Sequence, residues 1–204
     1  MFKKLVPLGA AVFAMWPGLA AAQETTPTAE ENQAGQTANE TLDLGQPVNS
    51  EPTVGQRYSK EKFGDWDLAC IKTNTETDPC SLLQILNGSE GNPIAEISMF
   101  RLPEGQRAVA AATIIVPLET LLPAQLTISV DGAPGKRYNY TFCAPIGCVA
   151  QIGLTQADID AMKKGNKATL SLVPATAPDQ VINLDLSLSG FTAGYDVVDV
   201  ATNG

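Results

Sequence analysis

Cys143 and Cys148 stand five positions apart, and Cys70 and Cys80 ten apart, in a chain of 204 residues that contains no histidine. Sulfur and carboxylate are the side chains whose spacing here could suggest chemistry. Imidazole-activated nucleophiles, histidine metal sites and histidine proton shuttles are excluded. Thiol exchange usually employs Cys-x-x-Cys at a helix N-terminus, where the dipole lowers the thiol pKa. The Cys143 to Cys148 spacing is wider and falls between strand-like runs, so structural cystines are the expected state. Four cysteines allow three pairings, and sequence order favours Cys70–Cys80 and Cys143–Cys148. A carboxylate pair could hydrolyse glycosides only if two acids faced one another across an aromatic cleft. Asp65 and Asp67, flanking Trp66, are expected as solvated carboxylates, with calcium binding the minor alternative; no Asp-x-Asp-x-Asp-Gly loop supports it. No catalytic residue, metal ligand or cofactor is expected.

The elements that must carry these residues begin after an address. Residues 1–22 place Lys3 and Lys4 before an apolar run from Leu5 to Leu19 and then Ala20-Ala21-Ala22, the layout of a secretory signal peptide cut after Ala22. Export explains how cystines would persist. The apolar run is shorter than the roughly 20 residues a membrane span needs and is broken by Pro7 and Pro17. No second long apolar run follows. A periplasmic or cell-envelope location without a transmembrane span is therefore expected. The formal charge is −9, from 13 basic and 22 acidic residues, with a pI near 4.4. Removing residues 1–22 takes away two lysines and leaves 11 basic against 22 acidic residues. An acidic chain of this kind cannot release counterions from a phosphate backbone, so nucleic acid is not an expected partner.

Residues 23–57 are rich in Gln, Thr, Glu, Asn and Pro without apolar periodicity, and read as a disordered acidic leader. Residues 58–204 read as one domain. Trp66, Leu68 and Cys70 alternate with Asp65 and Asp67, the period-2 pattern of a half-buried strand. Similar runs occur at Ser81–Leu86, Ile94–Leu102, Ala108–Val116, Leu126–Val130, Tyr138–Cys143, Cys148–Ile152, Ala168–Val173 and Leu184–Ser189, separated by Gly, Pro and Asn turns. Such spacing predicts an all-β antiparallel sandwich. The continuous run Ala108–Val116 is expected to be buried on both faces, the alternative being an exposed edge. One short helix is expected from the capping box Thr155-Gln-Ala-Asp158 to Lys163 and Lys164, with Gly165 after it. Lys163, Lys164 and Lys167 form the densest basic cluster. They read as a helix C-terminus, or alternatively as a contact for anionic headgroups or saccharide phosphates.

Phe63-Gly-Asp-Trp66, Cys80-Ser-Leu-Leu-Gln84, Val116-Pro-Leu118, Leu122-Pro-Ala124, Phe142-Cys143, Gly147-Cys148, Lys164-Gly165 and Ser187-Leu-Ser-Gly-Phe191 occur in an order and spacing that resemble the invasion-associated locus B family of exported bacterial proteins. The likeness runs from Lys60 to about Ala193. It implies an immunoglobulin-like β-sandwich, exported across the inner membrane, with its cysteines paired. In pathogenic members the family is associated with entry into host cells, and it supplies no catalytic residues to carry over. Trp66 and Phe191 are expected as core landmarks, Trp66 filling the space between the sheets rather than stacking on sugar. The function expected is that of a non-enzymatic module binding an unknown protein or cell-envelope component. A thiol-disulfide exchanger or carboxylate hydrolase is the alternative.

Overall fold

The computed structural model describes Gly45 and residues 51–201. The described elements all belong to the unit formed by residues 49–204. The expected signal peptide, and the expected leader before residue 51 apart from Gly45, lie outside the described residues.

Among the described residues, eleven strands build the domain. They are β1 (Arg57–Phe63), β2 (Trp66–Ile71), β3 (Cys80–Asn87), β4 (Pro93–Arg101), β5 (Ala110–Val116), β6 (Leu126–Val130), β7 (Lys136–Tyr138), β8 (Phe142–Ala144), β9 (Gly147–Leu154), β10 (Lys167–Leu172) and β11 (Ile182–Ser187). Every ladder between them is antiparallel. The larger sheet has the order β1-β2-β3-β4-β5-β9-β8, and the smaller β11-β10-β6-β7. Alternation drives the packing. Leu68, Leu82, Ile97 and Ile114 of the larger sheet, with Leu126, Leu170, Leu184 and Leu186 of the smaller, are all buried in one core. The sandwich read from the strand pattern is therefore present.

Three stretches of the chain differ from the sequence reading in instructive ways. The run Tyr138–Cys143 is not one strand: β7 belongs to the smaller sheet, β8 to the larger, and Asn139–Thr141 carries the chain between them. An alternating pattern reports which residues are buried but not which sheet hydrogen-bonds them. Tyr140 of this crossing packs against the core, and burial pushes its hydroxyl up to about 12. The run Ala108–Val116 supplies β5, which lies between β4 and β9, so the exposed-edge alternative does not hold. One face of β5 is buried and the other only half covered. Finally, β1 begins inside the expected leader, and order starts earlier still. Gly55 N–H donates to Lys72 O at 2.8 Å and Lys72 N–H to Gln56 O at 2.9 Å. Residues 51–57 are thus described as part of the fold, held by main-chain hydrogen bonds that composition does not register.

The expected helix is α1 (Gln156–Lys164). Thr155 is its N-cap: Asp158 N–H donates to Thr155 Oγ1, and Thr155 N–H donates to Asp158 Oδ2 at 2.9 Å. Burial works against the Asp158 charge, but the Lys136 ion pair at 2.6 Å and the Thr155 donors outweigh it and lower its pKa. Gly165 follows with φ −76°, so it is not there for a left-handed turn. A Cβ at that position would lie 2.6 Å from Val130 Cγ1, and the glycine is needed for space. A second helix, α2 (Phe191–Val197), carries no sequence signal because Thr, Gly and Val are poor helix formers. It forms because Phe191, Gly194 and Tyr195 are buried against the sheet.

The two halves of the domain meet where the β1–β2 turn touches the segment before α2. Gly190 has φ +80°, and a Cβ there would stand 2.0 Å from Phe63 O. Gly64 is constrained in the same way by Ser189 O, at 2.6 Å. Gly190→Ala is therefore expected to destabilise the domain by roughly 3 kcal/mol or more, because a backbone clash adds to the left-handed penalty. Gly132→Ala, also at positive φ but with nothing within 4 Å, should cost only about 1 kcal/mol. Urea denaturation of both variants distinguishes contact from conformation.

The loop between β2 and β3 is organised by one carboxylate. Asp78 accepts from Thr73 N–H (2.8 Å), Tyr58 Oη (2.8 Å) and Thr73 Oγ1 (3.0 Å), and pairs with Lys72 Nζ at 3.2 Å. Led by the Thr73 amide and the Tyr58 hydroxyl, these partners hold its pKa at about 2, against an ordinary 3.8. Because the folded value lies below the unfolded one, the stabilisation is complete above the unfolded pKa and disappears as pH falls toward 2. Melting temperature is expected to fall between about pH 4 and pH 2 in part through this group. Asp78→Asn should flatten that portion of the profile.

Candidate functional site

Both cystines form as sequence order favours. Cys70 opposes Cys80 in the β2–β3 ladder and is bonded to it, and Cys143 opposes Cys148 across β8–β9 and is bonded likewise. Their surroundings differ. Cys70 and Cys80 are both buried, and Cys80 N–H donates to Asp199 Oδ2 at 2.7 Å from the C-terminal segment. Cys148 is buried but Cys143 is exposed at the sheet edge.

The carboxylates near these elements are engaged in holding the fold. Ser187 Oγ donates to Asp65 and Ser59 Oγ to Asp67. Asp131 accepts from the backbone N–H of Asn166 and Lys167. No group of three or more metal-ligating side chains occurs among the described residues. Trp66 is fully buried, its ring centroid 5.4 Å from that of Phe191, which places both expected landmarks at the centre of the core.

The three lysines do not act together as one free cationic patch. Lys163 pairs with Asp196 at 2.6 Å and lies over the Tyr195 ring, 5.0 Å from its centroid. Lys167 pairs with Asp185 at 3.0 Å, while Lys164 is exposed at the end of α1. Local aspartates thus offset much of the field that an anion would meet.

The surface that stands out lies on the outward face of the larger sheet, and sequence reading did not mark it. Ladder partners place Ile85, Glu96, Ile115, Val149 and Phe142 in one row across β3, β4, β5, β9 and β8. An open depression of about 450 Å³ is lined here by Arg57, Ile85, Ile94, Glu96, Ile115 and Ile146. Ile85, Phe142 and Ile146 are 43%, 49% and 70% exposed, far more than large apolar side chains in a core. Arg57 spans from β1 to grip Glu96 with two hydrogen bonds of 2.8 and 3.2 Å, which puts a paired charge on the rim. The available signal was the apolar flanks Phe142 and Ile146 beside the second cystine, but only strand register brings Ile85 and Ile115 to join them. Among the described residues, no helix is long and apolar enough to cross a membrane.

Known proteins resemble this chain in sequence and in fold. Two proteins of Brucella abortus, the Invasion protein B homologs of strain 2308 and of biovar 1 strain 9-941, are each 22% identical to this chain over 149 residues. The alignments cover 72% of this chain and 83% of each relative. A crystal structure of invasion associated protein b from Bartonella henselae matches with a TM-score of 0.55 at 21% identity, covering 66% of this chain and 91% of that one, a likeness of fold. The family model for Invasion associated locus B (IalB) protein matches residues 66–199. That span opens on the buried Trp66 and closes on Asp199, which caps the first cystine strand, and the chain belongs to the invasion associated locus B family.

Proposed function

We propose that the protein is exported, with cleavage after Ala22, and serves in the periplasm or cell envelope as a non-enzymatic module that binds a protein partner through the outward face of the larger sheet. The observation that carries this reading is the apolar surface at the depression, where Ile85 and Ile146 are exposed and Ile115 is half-buried, with the exposed Phe142 at the end of the same ladder row. Contiguous exposed apolar surface rimmed by paired polar groups is the anatomy of a protein contact. Family membership supports it further, since the Brucella relatives carry the name of invasion proteins. The two cystines fit an oxidising compartment. The hydrogen bonds that occupy Asp65, Asp67 and Asp78 favour structural over hydrolytic roles for these acids. A net charge of −9 opposes attraction to an anionic lipid surface, which favours protein over headgroup.

A photo-crosslinking residue at position 146, in cells producing the full chain, is expected to capture a discrete protein adduct. Ile85→Asp combined with Ile146→Asp should abolish it while lowering stability by only about 1 kcal/mol, since both sites are exposed. Crosslinks to lipid or glycan alone, or capture unchanged by the double substitution, would refute the reading. The purified mature chain should begin at Gln23.

A further inference from the structure

The two cystines are built so differently that they cannot respond alike to a thiol. We infer that Cys143–Cys148 is a selectively reducible clasp, in which Cys143 is the site of attack by a dithiol reductant and whose opening releases β8 from the sheet.

Attack on a disulfide requires access to one sulfur along the S–S axis, with the other sulfur leaving. Cys143 is exposed on β8, which is the outermost strand of the larger sheet, whereas its partner Cys148 is 1% exposed. A thiolate approaching from solvent thus meets Cys143 and expels Cys148 inward. The new bond joins the reductant sulfur to Cys143 Sγ, the cystine S–S bond breaks, and Cys148 departs as a thiolate that takes up a proton. The Leu118 carbonyl oxygen, 3.8 Å from Cys148 Sγ, is placed to accept the resulting S–H. The second thiolate of the reductant attacks the reductant sulfur in the mixed disulfide and releases Cys143 as a thiol. Two electrons have then passed from the dithiol, now an intramolecular disulfide, to the cystine. The other pair offers no such approach: Cys70 is fully buried, and Cys80 is covered where Asp199 receives its N–H.

Release follows from how little else holds β8. It pairs with β9 alone, through Phe142↔Val149, Cys143↔Cys148 and Ala144↔Gly147. Thr141 N–H donates to Val149 O at 2.7 Å, and Gln151 N–H to Thr141 Oγ1 at 3.2 Å. On the other side β9 is anchored by seven ladder pairs to β5. Opening therefore leaves β9 in place while withdrawing Phe142 from Val149, and it presents a fresh strand edge beside the apolar row. The modification is independent of whether that row binds a protein.

The mature chain would be treated with dithiothreitol under native conditions, pulsed with iodoacetamide and mapped by peptide mass spectrometry. Cys143 and Cys148 are expected to label roughly tenfold or more faster than Cys70 and Cys80, with near-ultraviolet circular dichroism retained. Amide exchange at Thr141 and Gln151 should accelerate roughly tenfold in the singly reduced protein, while the β5 amides stay protected. The doubly substituted Cys143→Ser/Cys148→Ser chain should fold and show the same fast exchange without reductant. Equal labelling of all four cysteines, labelling only after denaturation, loss of the dichroism signal with the first bond, or unchanged exchange at Thr141 and Gln151 would each overturn the inference.

Discussion

The backbone of Ser187 is held by three hydrogen bonds with two buried side chains inside the sandwich, and the assembly of the two sheets depends on that grip. Its carbonyl accepts from Trp66 Nε1 at 2.8 Å and from Gln84 Nε2 at 3.1 Å, while its N–H donates to Gln84 Oε1 at 2.8 Å. Gln84 is only 5% exposed, so these bonds form where water cannot substitute for them. A buried amide left unmatched costs about 1 to 3 kcal/mol per group, and reciprocal pairing removes that penalty while fixing position. β2 and β3 of the larger sheet are thereby registered against the end of β11 in the smaller one. The close contacts of Gly64 and Gly190 follow, because the chain enters and leaves this junction with no room for a side chain.

Around that junction the aromatic groups and the C-terminal segment complete the closure. Phe191 tilts against Trp66, and Tyr195 against Phe191 at 5.6 Å, which continues the core into α2. The chain then returns to the larger sheet: Arg101 N–H donates to Asp199 O at 3.0 Å, Ala201 N–H to Arg101 O at 2.8 Å, and Arg101 Nε to Val198 O at 2.8 Å. Asp199 reaches on to Cys80, so the last described residues shield the first cystine. A domain of this design has its most interior bridge at the closed junction and its most accessible bridge at the opposite edge of the same sheet.

Charge follows the same economy of position. The acidic excess is distributed among local duties, with Asp78 ordering a loop, Asp131 receiving the chain after α1, and Asp158 capping that helix. The edge strand β1 carries Arg57, Lys60, Glu61 and Lys62, a composition that discourages pairing with another chain. β8 has no such guard. Its Phe142 and the neighbouring Ile146 are apolar and exposed.

Much of this was legible in the residues themselves. Period-2 alternation located β2, β3, β4, β6, β9, β10 and β11 because each buries one face in the core and covers the other less completely, and the capping box located α1 because its hydrogen bonds are local. The cystine pairing was legible for the same reason, since each bridge spans neighbouring strands of one hairpin. What depended on distant residues was not. β1 is mostly polar, with only Tyr58 and Phe63 packed against the core, and exists because β2 offers it a ladder, and α2 exists because the sheet covers Phe191 and Tyr195. The Tyr138–Cys143 run splits between sheets according to which partners lie nearby. The apolar row joins Ile85 to Phe142 through the registers of five strands, a relation no local pattern encodes. Sequence alone determined the alternation of the strands, the charge and the cystine pairing, because these are properties of residues and their near neighbours. Only the tertiary structure decided which exposed side chains share a face, because that is a property of how strands align.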